Sequence, residues 1–228
     1  MSDPCQTNEG IRSALLRRIL LLWGVKLALT MFLPVWVFVP YVILQRWPIA
    51  PIHVFDQSSL DRLVEFDPAW VWVYVSVYLL VPIPIWLTAS KNDLKLYAKG
   101  IVWICIISWI VFAIHPVHCP RPDPLPRSNM LFEWVIYFDL PTNSFPSLHI
   151  SVASYALLYG GRLRSTDRVI AYDRLGLAVG WLWFSFIAYA TLATKQHFIA
   201  DVLAGLALGA AVGSWLLSRS SMPRDRFG

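Results

Sequence analysis

Apolar runs separated by short polar breaks dominate the chain, and six of them approach the ~20 residues a helix needs to cross a bilayer. They fall at about Leu15–Val39, Ala69–Thr88, Tyr97–His115, Ser147–Gly160, Leu175–Thr194 and Phe198–Leu217. Asp67-Pro68 supplies the second run with a capping residue and a first-turn proline. Pro82 and Pro84 predict a kink near its other end. The fourth run is short, so it is expected to tilt or to begin below the membrane surface. No repeat and no low-complexity segment interrupts the pattern. It predicts an all-α, polytopic membrane protein: one membrane-embedded six-transmembrane-helix bundle over residues 1–228.

Charge gives the bundle a direction. Thirteen lysines and arginines flank the spans on one side, among them Arg17, Arg18, Lys91, Lys95, Arg162, Arg164 and Arg219. Five lie on the other (Arg46, Arg62, Arg121, Arg127 and Lys195), and Lys26 sits inside the first span. The richer side is expected to be cytoplasmic, which puts both termini inside, in what the compact chain suggests is a bacterial plasma membrane. All five histidines then gather on or near the outer face.

Composition agrees with the pattern. Hydrophobic residues make up 57% and charged residues 14%, against roughly 25% charge in soluble domains, which excludes a soluble globular fold. The net charge of +5 is scattered between spans rather than gathered in a patch, so no nucleic-acid partner is expected. Arg17-Arg18 before an apolar run resembles a signal peptide. Lys26 interrupts that run and no small-residue cleavage site follows Leu44, so a retained first helix is expected. Cys5, Cys105 and Cys119 form no evident disulfide framework.

Three segments carry chemistry. In Lys195-Gln196-His197-Phe198-Ile199-Ala200-Asp201, His197 and Asp201 are spaced to share a helix face. A carboxylate inside an apolar span is costly and usually functional. Asp201 can orient one nitrogen of His197 and leave the other free to attack. The bland alternative is a polar contact between helices. Gly205, Gly209 and Gly213 continue the stripe as a seam for a close neighbour. In Asn143-Ser144-Phe145-Pro146-Ser147-Leu148-His149, Ser144 is a candidate cap, and His149 falls in the first turn of the fourth helix. Two histidines at helix starts on one face make a coherent anion site. In His115-Pro116-Val117-His118-Cys119-Pro120-Arg121, Arg121 has the planar fork of a phosphate clamp. Zinc is a weak alternative there, lacking a fourth ligand. Lys195 offers a second cation, or a lysine snorkelling to the headgroups.

Together these segments resemble the type 2 phosphatidic acid phosphatase superfamily of membrane enzymes. Arg121-Pro122 looks like the end of its first motif, Pro146-Ser147-Leu148-His149 like its second, and His197 with Asp201 like the end of its third. Ile114 stands at the usual first-motif lysine, Leu148 at the second-motif glycine, and Ala190-Thr191 at the third-motif Ser-Arg. The Phe-Pro-Ser-Leu-His form is closer to the inositol phosphorylceramide synthase branch. The resemblance implies a metal-independent enzyme without cofactor, with a catalytic core at about 60–217. His197 would be the nucleophile, Asp201 its orienting group and His149 the acid and base, with Arg121, Ser147 and Lys195 on the phosphate. The expected substrate is a lipid phosphate. The function readings are a lipid mono- or diphosphate phosphatase through a phosphohistidine, a phospho-headgroup transferase, and a non-catalytic lipid-binding protein.

Overall fold

The computed structural model describes Ser13 and residues 15–122, 129–167 and 174–220, and these are mostly helical. The helices are α1 (Trp23–Arg46), α2 (Ser59–Leu63), α3 (Pro68–Leu87, in segments), α4 (Lys91–Ile114), α5 (Met130–Phe138), α6 (Leu148–Asp167), α7 (Arg174–Ala193) and α8 (Ile199–Ser220). Two short parallel strands, β1 (His53–Val54) and β2 (Val117–His118), pair His53 with Val117. Five helices, α1, α3, α4, α7 and α8, are long and apolar enough to cross a membrane, and they mark a membrane protein.

The fourth expected span becomes α6, twenty residues long and placed at the centre. It carries Ser151, Ser154 and Arg162, and is not apolar enough to count as a span by composition. Its residues from 150 to 157 are almost all buried against α4, α7 and α8. A helix sheathed by other helices meets little lipid, so it has no need of a fully apolar surface. Ser151 and Ser154 satisfy their hydroxyls on the carbonyls of Ser147 and Ser151.

Glycines let α8 lie against α6. A Cβ on Gly209 would stand 2.4 Å from the Ser151 carbonyl oxygen, and one on Gly205 would stand 2.5 Å from that of Ser147. Prolines segment α3 as expected, and Ser76 adds a second break: its hydroxyl donates to Val73 O and accepts from Trp183 Nε1. The first span differs from expectation. Helical residues 15–20 end in a turn where Leu22 has φ 58°, and α1 then runs on to Arg46. Lys26 pins that turn, its buried amine donating to the carbonyls of Arg18 and Trp86.

Helix α5 was not legible as an element. At nine residues it is ~13 Å long, too short to cross, and Asn129 caps it through the N–H groups of Leu131 and Phe132. Phe132 is buried, whereas Met130, Trp134, Tyr137 and Phe138 are exposed. That is the make-up of a helix lying along a membrane surface.

The bundle has two chemically distinct ends. Arg162 pairs with Asp93 at 3.1 Å, which joins the end of α6 to the start of α4 among the basic loops. At the other end the close of α1, α4 and α7 meets the start of α6 and α8, and all five histidines lie there.

Candidate active site

A small polar scaffold builds the histidine end. Residues 117–119 run between two neighbours. His53 N–H donates to Pro116 O, and Phe55 N–H to His118 O. On the other side Cys119 N–H donates to Pro141 O, and both the N–H and the hydroxyl of Ser144 donate to Val117 O. Ser144 is therefore spent on this ribbon and does not cap α6. The residue next to the helix is Ser147, whose carbonyl accepts from Ser151 N–H and whose own N–H donates to Asp201 O at 3.1 Å. That last bond ties the start of α6 to the first turn of α8.

His197 precedes α8 by two residues instead of lying within it. The link after α7 is a helix stop in which Lys195 N–H reaches Leu192 O and Gln196 N–H reaches Thr191 O, with Lys195 left-handed at φ 52°. Glycine usually takes this position, because a Cβ is disfavoured there. Here the Lys195 amine donates to the carbonyls of Asp61 and Val64, which holds the turn. In this arrangement its charge is directed at α2 and away from the imidazoles. Burial lowers the Lys195 pKa, against the opposing pull of Asp61.

The amides at the start of α8 are already occupied. Phe198 N–H donates to Asp201 Oδ2, and Ile199 N–H to Asp61 Oδ1, both at 2.8 Å. Burial works against the charge on Asp61. Hydrogen bonds from Ser58 and the Ile199 N–H, with Lys195 nearby, outweigh it and hold the carboxyl below its ordinary value. The two helix starts thus differ from the symmetrical pair expected. Two carboxylates neutralise the α8 start, which leaves the start of α6, with its first-turn N–H groups, as the end better suited to an anion.

The rings of His149 and His197 meet edge to face with centroids 6.2 Å apart, within reach of one tetrahedral oxyanion. His197 Nδ1 stands 3.6 Å from Asp201 Oδ2, and both side chains are buried. The same Oδ2 accepts from the Cys119 thiol at 3.1 Å. Burial and then the Asp201 charge raise the Cys119 pKa, so it remains a thiol and a donor.

His149 has its own support, which the sequence reading missed. Tyr41 and Tyr74 both donate to the Asp139 carboxylate, at 2.5 and 2.9 Å. The Tyr74 oxygen lies 3.4 Å from His149 Nδ1, and Tyr78 Oη lies 3.2 Å from Nε2. Since Tyr74 gives its proton to Asp139, its oxygen can only accept, and this assigns the His149 proton to Nδ1. Two signals were available: Tyr74 and Tyr78 share a helix face by spacing, and Asp139 is a lone carboxylate closing an apolar run. Gln45 fixes that run, donating to Phe138 O and accepting from Leu140 N–H.

Arg121 lies beside His197. One of its terminal nitrogens donates to Gln196 Oε1 and to Asp139 O, both at 2.6 Å. Its Nε, the Ser147 hydroxyl, His197 Nδ1 and Asp201 Oδ1 are all buried without a hydrogen-bond partner. An unmet buried polar group costs about 1–3 kcal/mol; of these, the Arg121 Nε–H and the Ser147 hydroxyl are donors that suit an oxyanion, whereas Asp201 Oδ1 can only accept. A polar vestibule of about 600 Å³, lined by Gln57, Arg62, Glu65, Arg121 and Lys195, opens on one side. An apolar cleft of about 580 Å³ between Tyr41, Tyr78, Trp134 and His149 opens on the other. The zinc alternative finds no support: His115 stacks on His53 at 4.2 Å, while Cys119 turns to Asp201. Among the described residues no three His, Cys, Asp or Glu side chains are grouped to hold a metal ion.

The family model of the PAP2 superfamily matches residues 97–224, more than half of the chain. The chain belongs to the PAP2 superfamily. Its members are phosphatases or phosphotransferases acting on lipid phosphates. Comparison with curated proteins and with solved structures finds no match to the chain. Arg121, Ser147, His149, Lys195, His197 and Asp201 all fall within the stretch matched to the PAP2 superfamily. Asp61, Tyr74 and Tyr78 lie before it, so the support of His149 and of the α7–α8 turn comes partly from residues N-terminal to the matched stretch.

Proposed function

We propose that this PAP2-superfamily protein is a lipid phosphatase that works through a phosphohistidine. One observation carries the reading: two imidazoles stand with centroids 6.2 Å apart in a site where Arg121 Nε and the Ser147 hydroxyl are buried donors without partners. His197 Nε2 attacks phosphorus as the bond to the lipid oxygen breaks. A shift of ~0.8 Å brings its Nδ1–H from 3.6 Å to a charge-assisted hydrogen bond with Asp201. His149, whose own proton is on Nδ1, takes a second proton on Nε2 from the bound ester's monoanion and passes it to the departing oxygen, which takes the place of the Tyr78 hydroxyl. His149 then removes a proton from water, the hydroxide attacks phosphorus, and the N–P bond to His197 breaks to release phosphate. Proton transfer of this kind contributes ~10²–10⁴-fold. Charge on the equatorial oxygens meets Arg121, the Ser147 hydroxyl and the first amides of α6. Lys195, its amine held by carbonyls, acts at longer range.

A phospho-headgroup transferase is the second reading. The vestibule beside Arg121 favours it, since its polar lining has room for an acceptor larger than water. Following the positive-inside rule, we take the basic end of the bundle as cytoplasmic and the site as facing outward.

The purified protein is to be incubated with labelled lipid phosphate, with and without alcohol acceptors. Free phosphate supports the phosphatase, and label moved to the acceptor supports the transferase. His197→Ala should lower turnover by at least ~10⁴-fold and abolish acid-labile label on the protein. Full activity in that variant overturns the enzymatic reading.

A further inference from the structure

An apolar groove not used in the chemistry above begins at His149 and descends between α1 and α3. Leu29, Leu33, Val37 and Tyr41 form one wall, with Val81 and Ile85 opposite, and its free volume is about 110 Å³. We propose, building on the phosphatase reading, that this groove holds one hydrocarbon chain of the substrate, the chain attached to the oxygen that His149 protonates.

Three observations support that occupant. The first is length: twelve residues of α1 separate Leu29 from Tyr41, which is ~18 Å of helix. One leaflet is half of a ~30 Å hydrocarbon core, ~15 Å, so the groove is one leaflet deep. The second is width. A water-sized group needs ~10–15 Å³ of such volume, so about 110 Å³ takes roughly seven to eleven methylene-sized groups. Strung over ~18 Å, these make a single file and leave no room for two chains abreast. The third is chemistry and continuity. Within the groove the lining is apolar except for Thr30, whose hydroxyl is satisfied on Lys26 O. Its polar end is Tyr41, Tyr78 and His149, the same three residues that line the headgroup-level cleft. The Phe38 and Tyr78 rings, 6.0 Å apart, mark the junction of the two spaces. A phosphate ester whose leaving oxygen sits at His149 would enter this groove with its first methylenes.

The test is a chain-length ladder of monoalkyl phosphates, from butyl to hexadecyl, assayed by phosphate release. Each methylene kept out of an apolar site forfeits about fourfold in affinity. Leu33→Trp, which blocks the middle of the groove, should lower kcat/KM for dodecyl relative to butyl phosphate by about tenfold or more. Leu29→Trp, at the floor, should lower it only for the longest chains. Ile110→Trp, on the exposed face of α4 and away from the groove, should leave the profile unchanged. Val81→Phe blocks the groove from the α3 wall if Leu33→Trp fails to fold. Chain-length profiles of the groove variants that superimpose on the wild type overturn the groove assignment while leaving the phosphatase reading intact. Absence of phosphate release from every member by the wild type overturns both.

Discussion

Gly205→Ala tests the contact on which the site depends. A Cβ at this position would lie 2.5 Å from the Ser147 carbonyl oxygen, 3.2 Å from Ile150 Cβ and 3.3 Å from Ser147 Cβ. Ordinary contact begins at 3.4 Å, so the first turn of α6 must retreat from α8 by about 0.9 Å, the difference from 2.5 Å. The closest obstacle is backbone, which cannot swing aside as a side chain can. The retreat strains the Ser147 N–H to Asp201 O bond, now 3.1 Å, and separates His149 from His197. Over-packing of this size costs about 1–3 kcal/mol, offset by about 1 kcal/mol of helix propensity gained from alanine. Stability should therefore change by no more than about 2 kcal/mol. A displacement of this order at reacting groups costs ~10²-fold in rate. The expected result is a kcat about a hundredfold lower with a Tm close to wild type. Phosphate release and thermal unfolding in detergent give the two values. Gly161→Ala, where an added Cβ meets nothing within 4 Å, is the control and should keep full rate. A Gly205→Ala protein with wild-type kcat would refute the coupling of the two helix starts.

Other consequences follow from the hydrogen-bond chains. Tyr74→Phe removes the acceptor that fixes the proton on His149 Nδ1 and should lower kcat up to ~10²-fold with KM little changed; an unchanged kcat would show that Asp139 and Tyr74 do not position His149. Lys195→Met leaves two carbonyls unmet and should cost about 1–3 kcal/mol of stability while KM for lipid phosphate stays within about twofold, about 0.4 kcal/mol. A large rise in KM at unchanged Tm would instead make Lys195 a phosphate ligand. Asp61 has a folded pKa below its ordinary value of 3.8, so its contribution is present above that value and is lost as pH falls through the lower, folded one. Stability should therefore be flat with respect to this group above about pH 5 and decline in the acid range. Asp61→Asn should remove that part of the decline in urea or thermal unfolding measured across pH.

Much of this protein is written in local pattern. Runs of apolar residues near bilayer length give the spans, because lipid leaves a backbone few options besides helix. Asp67-Pro68 and Pro82–Pro84 mark the start and breaks of α3 because caps and prolines act within one turn. His149, His197, Asp201, Ser147 and Arg121 were identifiable as candidates because polar groups beside or within apolar spans are costly to keep.

What sequence could not decide was pairing across the fold. Ser144 and Ser147 are both good caps by type, and only the ribbon at Val117 shows which one is otherwise engaged. Lys195 and Arg121 are both cations near the site. Only packing turns Lys195 toward the α2 carbonyls and leaves an Arg121 nitrogen unmet beside His197. Asp139 and Tyr74 lie 65 residues apart, and the carboxylate that neutralises the α8 start, Asp61, comes from 138 residues upstream of Ile199. Local spacing sets which face of a helix a residue occupies. Which distant group satisfies its hydrogen bonds is set by how whole helices pack, and in this chain that packing assigned the roles of the polar residues.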